Sequence, residues 1–118
     1  MTPAMTTTTT WVRFSHDGRT GFGILAGDRV EVFEGDMFAQ PTATGRQWPL
    51  GELKLLAPTQ PSKVLALWNN FGQLGAKLNL AAPPEPLYLI KSPNSYLNPG
   101  ETIRKPPGEG KLVFEGEL

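Results

Sequence analysis

The chain has 118 residues, with eleven basic and eleven acidic side chains, no cysteine, twelve prolines and thirteen glycines. The balanced charge argues against nucleic acid as a partner, since such a surface carries a basic excess. The absence of cysteine excludes disulfides and thiolate metal sites. No apolar stretch approaches the length of a membrane span, and the N-terminus lacks a basic region followed by an apolar one, so the expectation is a soluble, cytoplasmic protein with no membrane partner.

So much proline and glycine breaks the chain into short elements and points to a loop-rich, mainly β architecture. The opening "MTPAMTTTTT" (residues 1–10) has nothing to pack and is expected as a flexible tail. "WVRFS", "GFGIL" and "VEVFEG" (Trp11 to Ser15, Gly21 to Leu25, Val30 to Gly35) follow, separated by "HDGRT" and "AGDR". Three short strands with Gly and Asp turns predict a meander, its middle strand weakened by Gly21 and Gly23. His16, in "SHDG", is expected as a surface turn residue. From Met37 to Lys63 the chain carries Pro41, Pro49, Pro58 and Pro61 and the short apolar run Leu53 to Leu56, which reads as a connector. The boundary of a small β domain, residues 11–58, falls near Pro58 to Pro61.

"KVLALW" (Lys63 to Trp68) is continuously apolar, as a strand buried on both faces is. Phe71, Leu74 and Leu78 then fall three and four apart, which predicts a short helix burying one face, capped by Asn69 or Asn70. "AAPPEP" ends it. A strand "LYLIKS" (Leu87 to Ser92), a loop "PNSYLNPGE", an extended piece "TIRK", a turn "PPGEG" and a last strand "KLVFEGEL" complete the chain. Side chains two apart on a strand share a face, so Glu115 and Glu117 stand about 7 Å apart at the backbone. Like charges so placed repel unless a cation lies between them. The pair is either a solvated strand end or half of a metal site. "FGILAGD" lacks the GKS/T ending of a phosphate loop, and Trp11, Trp48 and Trp68 lack the basic surroundings of a base-stacking site.

Read in order from Lys63 to Leu118, the apolar strand, the Asn-aromatic opening of a short helix, the Pro-rich link, "PLYLIKSPNSYLNPGETI", a Pro/Gly turn and "FEGEL" resemble the fumarylacetoacetate hydrolase family. "EGEL" is similar to that family's Glu-x-Glu metal motif. "WVRFSHDGRTGFGILAGDRVEVFEGDMF" resembles the small β domain that precedes this fold in bacterial 2-hydroxyhepta-2,4-diene-1,7-dioate isomerases.

The resemblance implies a fold class: a small N-terminal β meander followed by the beginning of a mixed β-roll with one short helix, incomplete over residues 62–118. It implies Mg²⁺ or Mn²⁺ held by Glu115, Glu117 and an Asp on a later strand that the sequence does not reach. Such a hard cation takes oxygen ligands and acts as a Lewis acid on a 2-oxo acid, stabilising the enolate formed when a C–C bond breaks or a proton moves. Lys91 and Ser92, with Tyr96 near them, are the substrate-binding expectations, each against the plainer reading of a solvated strand end and a polar loop. Hydrolytic members carry a His and a Glu on the helix; the matching positions here are Leu74 and Lys77, which do not serve as a base pair. The leading expectation is therefore the N-terminal portion of an enzyme acting on 2-oxo or 2-hydroxydienoic acids in aromatic-compound catabolism, with isomerisation surviving the loss of the dyad better than hydrolysis. This stretch alone is expected to be inactive and to form a homo-oligomer or pair with the missing half. The alternative is a non-catalytic truncated or pseudoenzyme module that associates with another chain through an unpaired strand edge.

Overall fold

The computed structural model describes residues 8–113. These form a mainly β structure with one α-helix, divided into two compact units. The first runs to Gln60 and also takes in Asn98–Glu101; the second comprises Pro61–Leu97 and the residues from Thr102 onward.

In the first unit β1 (Trp11–His16), β2 (Arg19–Ala26), β3 (Arg29–Asp36), β4 (Ala39–Pro49) and β5 (Lys54–Leu55) make one antiparallel sheet, ordered β4-β3-β2-β1-β5. The meander follows from its turns. Asp17 and Gly18 (φ 48° and 72°) bridge the His16–Arg19 pair, a two-residue loop with both central φ angles positive, as a type I′ hairpin requires. Gly27 (φ 64°) supplies the positive φ of the next loop.

Alternation then sorts the side chains. Phe14, Val30 and Val32 are buried, with Val12, Leu25, Trp48, Leu50, Leu53 and Leu55 packed against them. Each fully buried side chain of this size contributes roughly 2 kcal/mol by removal from water. The opposite face carries Trp11 between Phe22 and Phe33, at ring distances of 6.0 and 5.0 Å.

Gly21 and Gly23 turn out to be packing requirements rather than weak points. A Cβ on Gly21 would lie 2.9 Å from the Phe14 ring, and one on Gly23 would run into the Glu31 carbonyl. Because β2 presents no side chains there, Phe14 lies over it.

The expected connector is a strand. β4 extends over eleven residues and pairs with β3, Trp48 opposite Val30. Its prolines are tolerated because β4 is an edge strand, where missing N–H donors cost no ladder bond. The register shifts between Glu31 and Phe33, and there the Thr44 hydroxyl donates to the Val32 carbonyl at 2.8 Å. His16 is not a surface turn residue either. It ends β1 and stacks on Trp48, ring centroids 4.1 Å apart and planes at 26°.

β5 is held to β1 by Arg13, whose Nη1 donates to the Ala57 carbonyl at 2.8 Å. The Ala57 N–H in turn donates to Asn98 Oδ1, also at 2.8 Å. Asn98-Pro99-Gly100-Glu101 is a type II turn: the Glu101 N–H donates to the Asn98 carbonyl at 3.1 Å, and Gly100 has φ 78°.

The second unit pairs β6 (Val64–Trp68) antiparallel with β7 (Leu87–Lys91), with α1 (Gly72–Lys77) between them in sequence. Three expectations are corrected here. β6 is not buried on both faces: of its residues only Ala66 is buried, and Leu65 is 61% exposed because two strands leave one face open. Phe71, Leu74 and Leu78 are exposed rather than core, and Gly75 is the buried position of α1. The N-cap position is Phe71, with no side-chain cap; Asn69 (φ 53°) instead donates from Nδ2 to the Ala81 carbonyl at 3.0 Å.

The helix ends in a Schellman motif. The Leu80 N–H donates to the Gly75 carbonyl and the Asn79 N–H to that of Ala76, with Asn79 left-handed at φ 58°. No strand forms over residues 102–113, so the extended piece at "TIRK" and the described start of the expected last strand are irregular.

Candidate functional site

Glu115 and Glu117, the expected metal ligands, lie outside the described residues. Among the described residues no three His, Cys, Asp or Glu side chains come together as a metal site.

Lys91 closes β7, half-buried and opposite Val64. Cross-strand partners share a face, so Lys91 stands on the same face as buried Ala66, away from the open face of Leu65 and Ile90. Ser92 begins the following turn, where its hydroxyl is already engaged. Ser92 Oγ donates to Asn94 Oδ1 at 2.6 Å, and the Ser92 carbonyl accepts from Ser95 Oγ at 2.6 Å. Tyr96 is pinned by its hydroxyl, which donates to the Pro61 carbonyl at 3.2 Å.

α1 brings Leu74 and Lys77 to one face, three residues apart. With Phe71, Gly72 and Gln73 they line an open cavity of about 400 Å³. None of these side chains accepts a proton readily at neutral pH; the lysine ammonium is a donor. A second cavity of about 530 Å³ lies between α1 and the Pro-rich link, with Trp68, Asn69, Leu80, Pro84 and Glu85 in its wall. Glu85 is a carboxylate that sequence reasoning passed over, because "AAPPEP" reads only as a helix stop.

Among the described residues, Glu101 is a carboxylate with both oxygens hydrogen-bonded. Its Oε1 accepts from Asn98 Nδ2 at 2.9 Å and its Oε2 from the Asn98 N–H at 3.0 Å, with Lys54 Nζ 3.8 Å away. The Asn98 hydrogen bonds, more than the lysine, hold its carboxyl below the usual carboxylate range. This is structural clasping within a turn, and no catalytic partner faces it among the described residues.

Comparison with known proteins finds likeness in both units. Residues 10–58 match the family described as Rv2993c-like, N-terminal. Protein Rv2993c of Mycobacterium tuberculosis is 37% identical over 81 residues, 69% of this chain and 31% of that protein. A fumarylacetoacetate hydrolase domain-containing protein 2 homolog of Dictyostelium discoideum is 29% identical over 73 residues, 62% of this chain and 24% of its own length. Among solved structures, 5-carboxymethyl-2-hydroxymuconate delta-isomerase from Mycobacterium smegmatis superposes with a TM-score of 0.60 at 28% identity, covering 73% of this chain and 33% of the enzyme. The chain thus spans about a third or less of the length of the proteins it matches. The 81 residues aligned with the mycobacterial protein are more than the N-terminal domain holds, so the likeness continues into the second unit.

Proposed function

We propose that the chain, which matches proteins of the fumarylacetoacetate hydrolase family over their N-terminal part, supplies that part of a cytoplasmic, divalent-metal-dependent enzyme acting on small 2-oxo or 2-hydroxydienoic acids. The observation that carries this reading is the continuity of the likeness across both units, since a shared β domain alone would be compatible with unrelated chemistry.

Glu115 and Glu117 would hold Mg²⁺ or Mn²⁺. The donor set fits, as both cations take hard carboxylate oxygens. Two carboxylates fall short of a closed site, and a third ligand would come from chain beyond these residues. When bound, the ion polarises the oxygens of a 2-oxo acid. What this chain adds is placement: Lys91, at the end of β7, would meet the substrate carboxylate, and the stretch from Ser92 to Tyr96 is held by hydrogen bonds within the turn and by one from the Tyr96 hydroxyl to the Pro61 carbonyl. With Leu74 and Lys77 on α1 there is no side-chain base to activate water at those positions, which favours isomerisation or decarboxylation over hydrolysis.

The deciding experiment mixes the chain with a separately produced remainder of the Mycobacterium tuberculosis relative and follows Mn²⁺ binding by calorimetry. The expected result is binding that neither piece shows alone and that Glu117→Ala abolishes. A complex that binds Mn²⁺ equally well with and without Glu117 would assign the carboxylates to a solvated strand end.

A second reading is favoured by the open face of the second unit. Leu65, Tyr88 and Ile90 are 61%, 69% and 70% exposed on neighbouring positions of β6 and β7. A non-catalytic module that associates with another chain would use this face. In the same experiment it predicts a complex that forms without gaining any Mn²⁺ binding.

A further inference from the structure

The first unit contains a cavity that the proposed chemistry does not use. On the core face of the sheet, His16 of β1 and Trp48 of β4 stack over β2 and β3, which run between their strands, and the cavity they line with Gly21, which presents no side chain, is about 550 Å³. That volume falls within the range of small-molecule sites. Its floor is apolar, made by the buried Phe14 ring over Gly21 and by buried Val32. Its rim is cationic. Arg19 and Arg46 both line it, and neither guanidinium has a hydrogen-bond or ion-pair partner among the described residues. The one carboxylate in the lining, Asp17, is turned to the imidazole, with Oδ2 3.6 Å from His16 Nδ1. Two guanidinium groups against one carboxylate leave the lining with a net positive charge.

From this arrangement we infer a second binding site, in the β domain, for a small organic carboxylate with a planar apolar body. The parts select that class together. An inorganic anion would satisfy the guanidinium forks and leave the half-buried His16 and Trp48 rings of the lining unmatched. A neutral hydrophobe would fill the floor and leave two guanidinium groups unmatched. A planar carboxylate does both, because guanidinium matches carboxylate with paired hydrogen bonds while aromatic rings take the flat body. The backbone of the walls is set by the sheet and its β1–β2 turn, while the two exposed arginine side chains are ordered on binding, a cost that keeps the expected affinity modest.

The test uses the whole chain and benzoate as the probe. His16 is the single histidine, so its ring resonances report the pocket without ambiguity. Titration is expected to move them saturably, with a dissociation constant on the order of 1 mM. Arg19→Gln and Arg46→Gln should each weaken binding about tenfold, the loss of one charge-assisted contact. Both arginines are exposed, so these variants should keep the fold. Arg104→Gln, in the second unit, should leave the affinity unchanged. Benzamide, the neutral analogue, should bind at least about tenfold more weakly for the same reason. No saturable movement of the His16 signals in a chain with folded dispersion would overturn the proposal. So would equal affinity for benzamide, indifference to both arginine substitutions, or an equal response to inorganic phosphate.

Discussion

Two glycines on β2 show how little room the core leaves. Gly21 faces the end of a side chain and Gly23 faces backbone, and the two obstacles differ in stiffness. Gly21→Ala asks the Phe14 ring to shift, an overpacking cost of about 1–2 kcal/mol. Gly23→Ala meets the Glu31 carbonyl, which moves only if the β2–β3 pairing opens, so a loss of about 3 kcal/mol or more is expected. Urea unfolding followed by the fluorescence of the sheet's tryptophans would order the two; equal midpoints would refute the distinction. These glycines also mark the limit of what sequence conveys. Asp17-Gly18 is legible because the turn demands positive φ locally. Gly21 and Gly23 look like weaknesses, since the groups that require them sit on other strands.

At the scale of elements, the reading of β1 to β3 follows from alternation and turn residues, whereas β4 escapes it. Pro41, Gly45 and Pro49 carry the signature of a connector, and only the position at the sheet edge makes a strand of them. The helix is legible from Phe71, Leu74 and Leu78, but periodicity does not say whether a face is covered, and this one is exposed. The same holds for the apolar runs at β6 and β7. Their open face predicts a measurable liability: the chain should bind an environment-sensitive hydrophobic dye, and Leu65→Lys with Ile90→Lys should reduce that signal measurably, since apolar area scales the effect. Hydrogen exchange in β1 to β3 should be unchanged by the pair. Dye binding unaffected by the double variant would place the exposed surface elsewhere. Of the candidate site, sequence offers the Glu-x-Glu pair as an expectation that lies outside the described residues, and it offers the family order because the motifs follow one another along the chain. The His16–Trp48 cavity is not, because its walls are 32 residues apart and meet only when the sheet forms.

Over the whole molecule, the first unit is completed by residues that lie far along the chain. Asn98 supplies the acceptor for the Ala57 N–H, and Glu101 is oriented by Asn98. Asn98→Ala would leave that half-buried amide without its partner, at a cost of about 1–2 kcal/mol. It would also release the Glu101 carboxyl toward its ordinary value of 4.5. A carboxyl held low in the folded state favours folding at pH above its unfolded value, and that contribution disappears as pH falls through the folded one. Because Glu101 is solvent-exposed, the effect is small, but its direction is defined. Carbon NMR of the Glu101 carboxyl should show a titration midpoint below the ordinary value in the parent and a higher one in Asn98→Ala. An unchanged midpoint would mean that the turn's hydrogen bonds do not set it.

The clasp has a consequence in time. Asn98 is made 41 residues after Ala57. At a synthesis rate of roughly 5–20 residues per second, the five strands wait a few seconds on the ribosome before their last partner emerges. During that interval the Ala57 amide is served by water, and β5 is tied to the sheet by Arg13 and its two ladder pairs. A nascent β domain that held together only with Asn98 in place would be exposed for the whole of that delay. The burial of Phe14, Val30 and Val32 within the first unit's own strands is what lets the sheet form before the turn arrives to lock it.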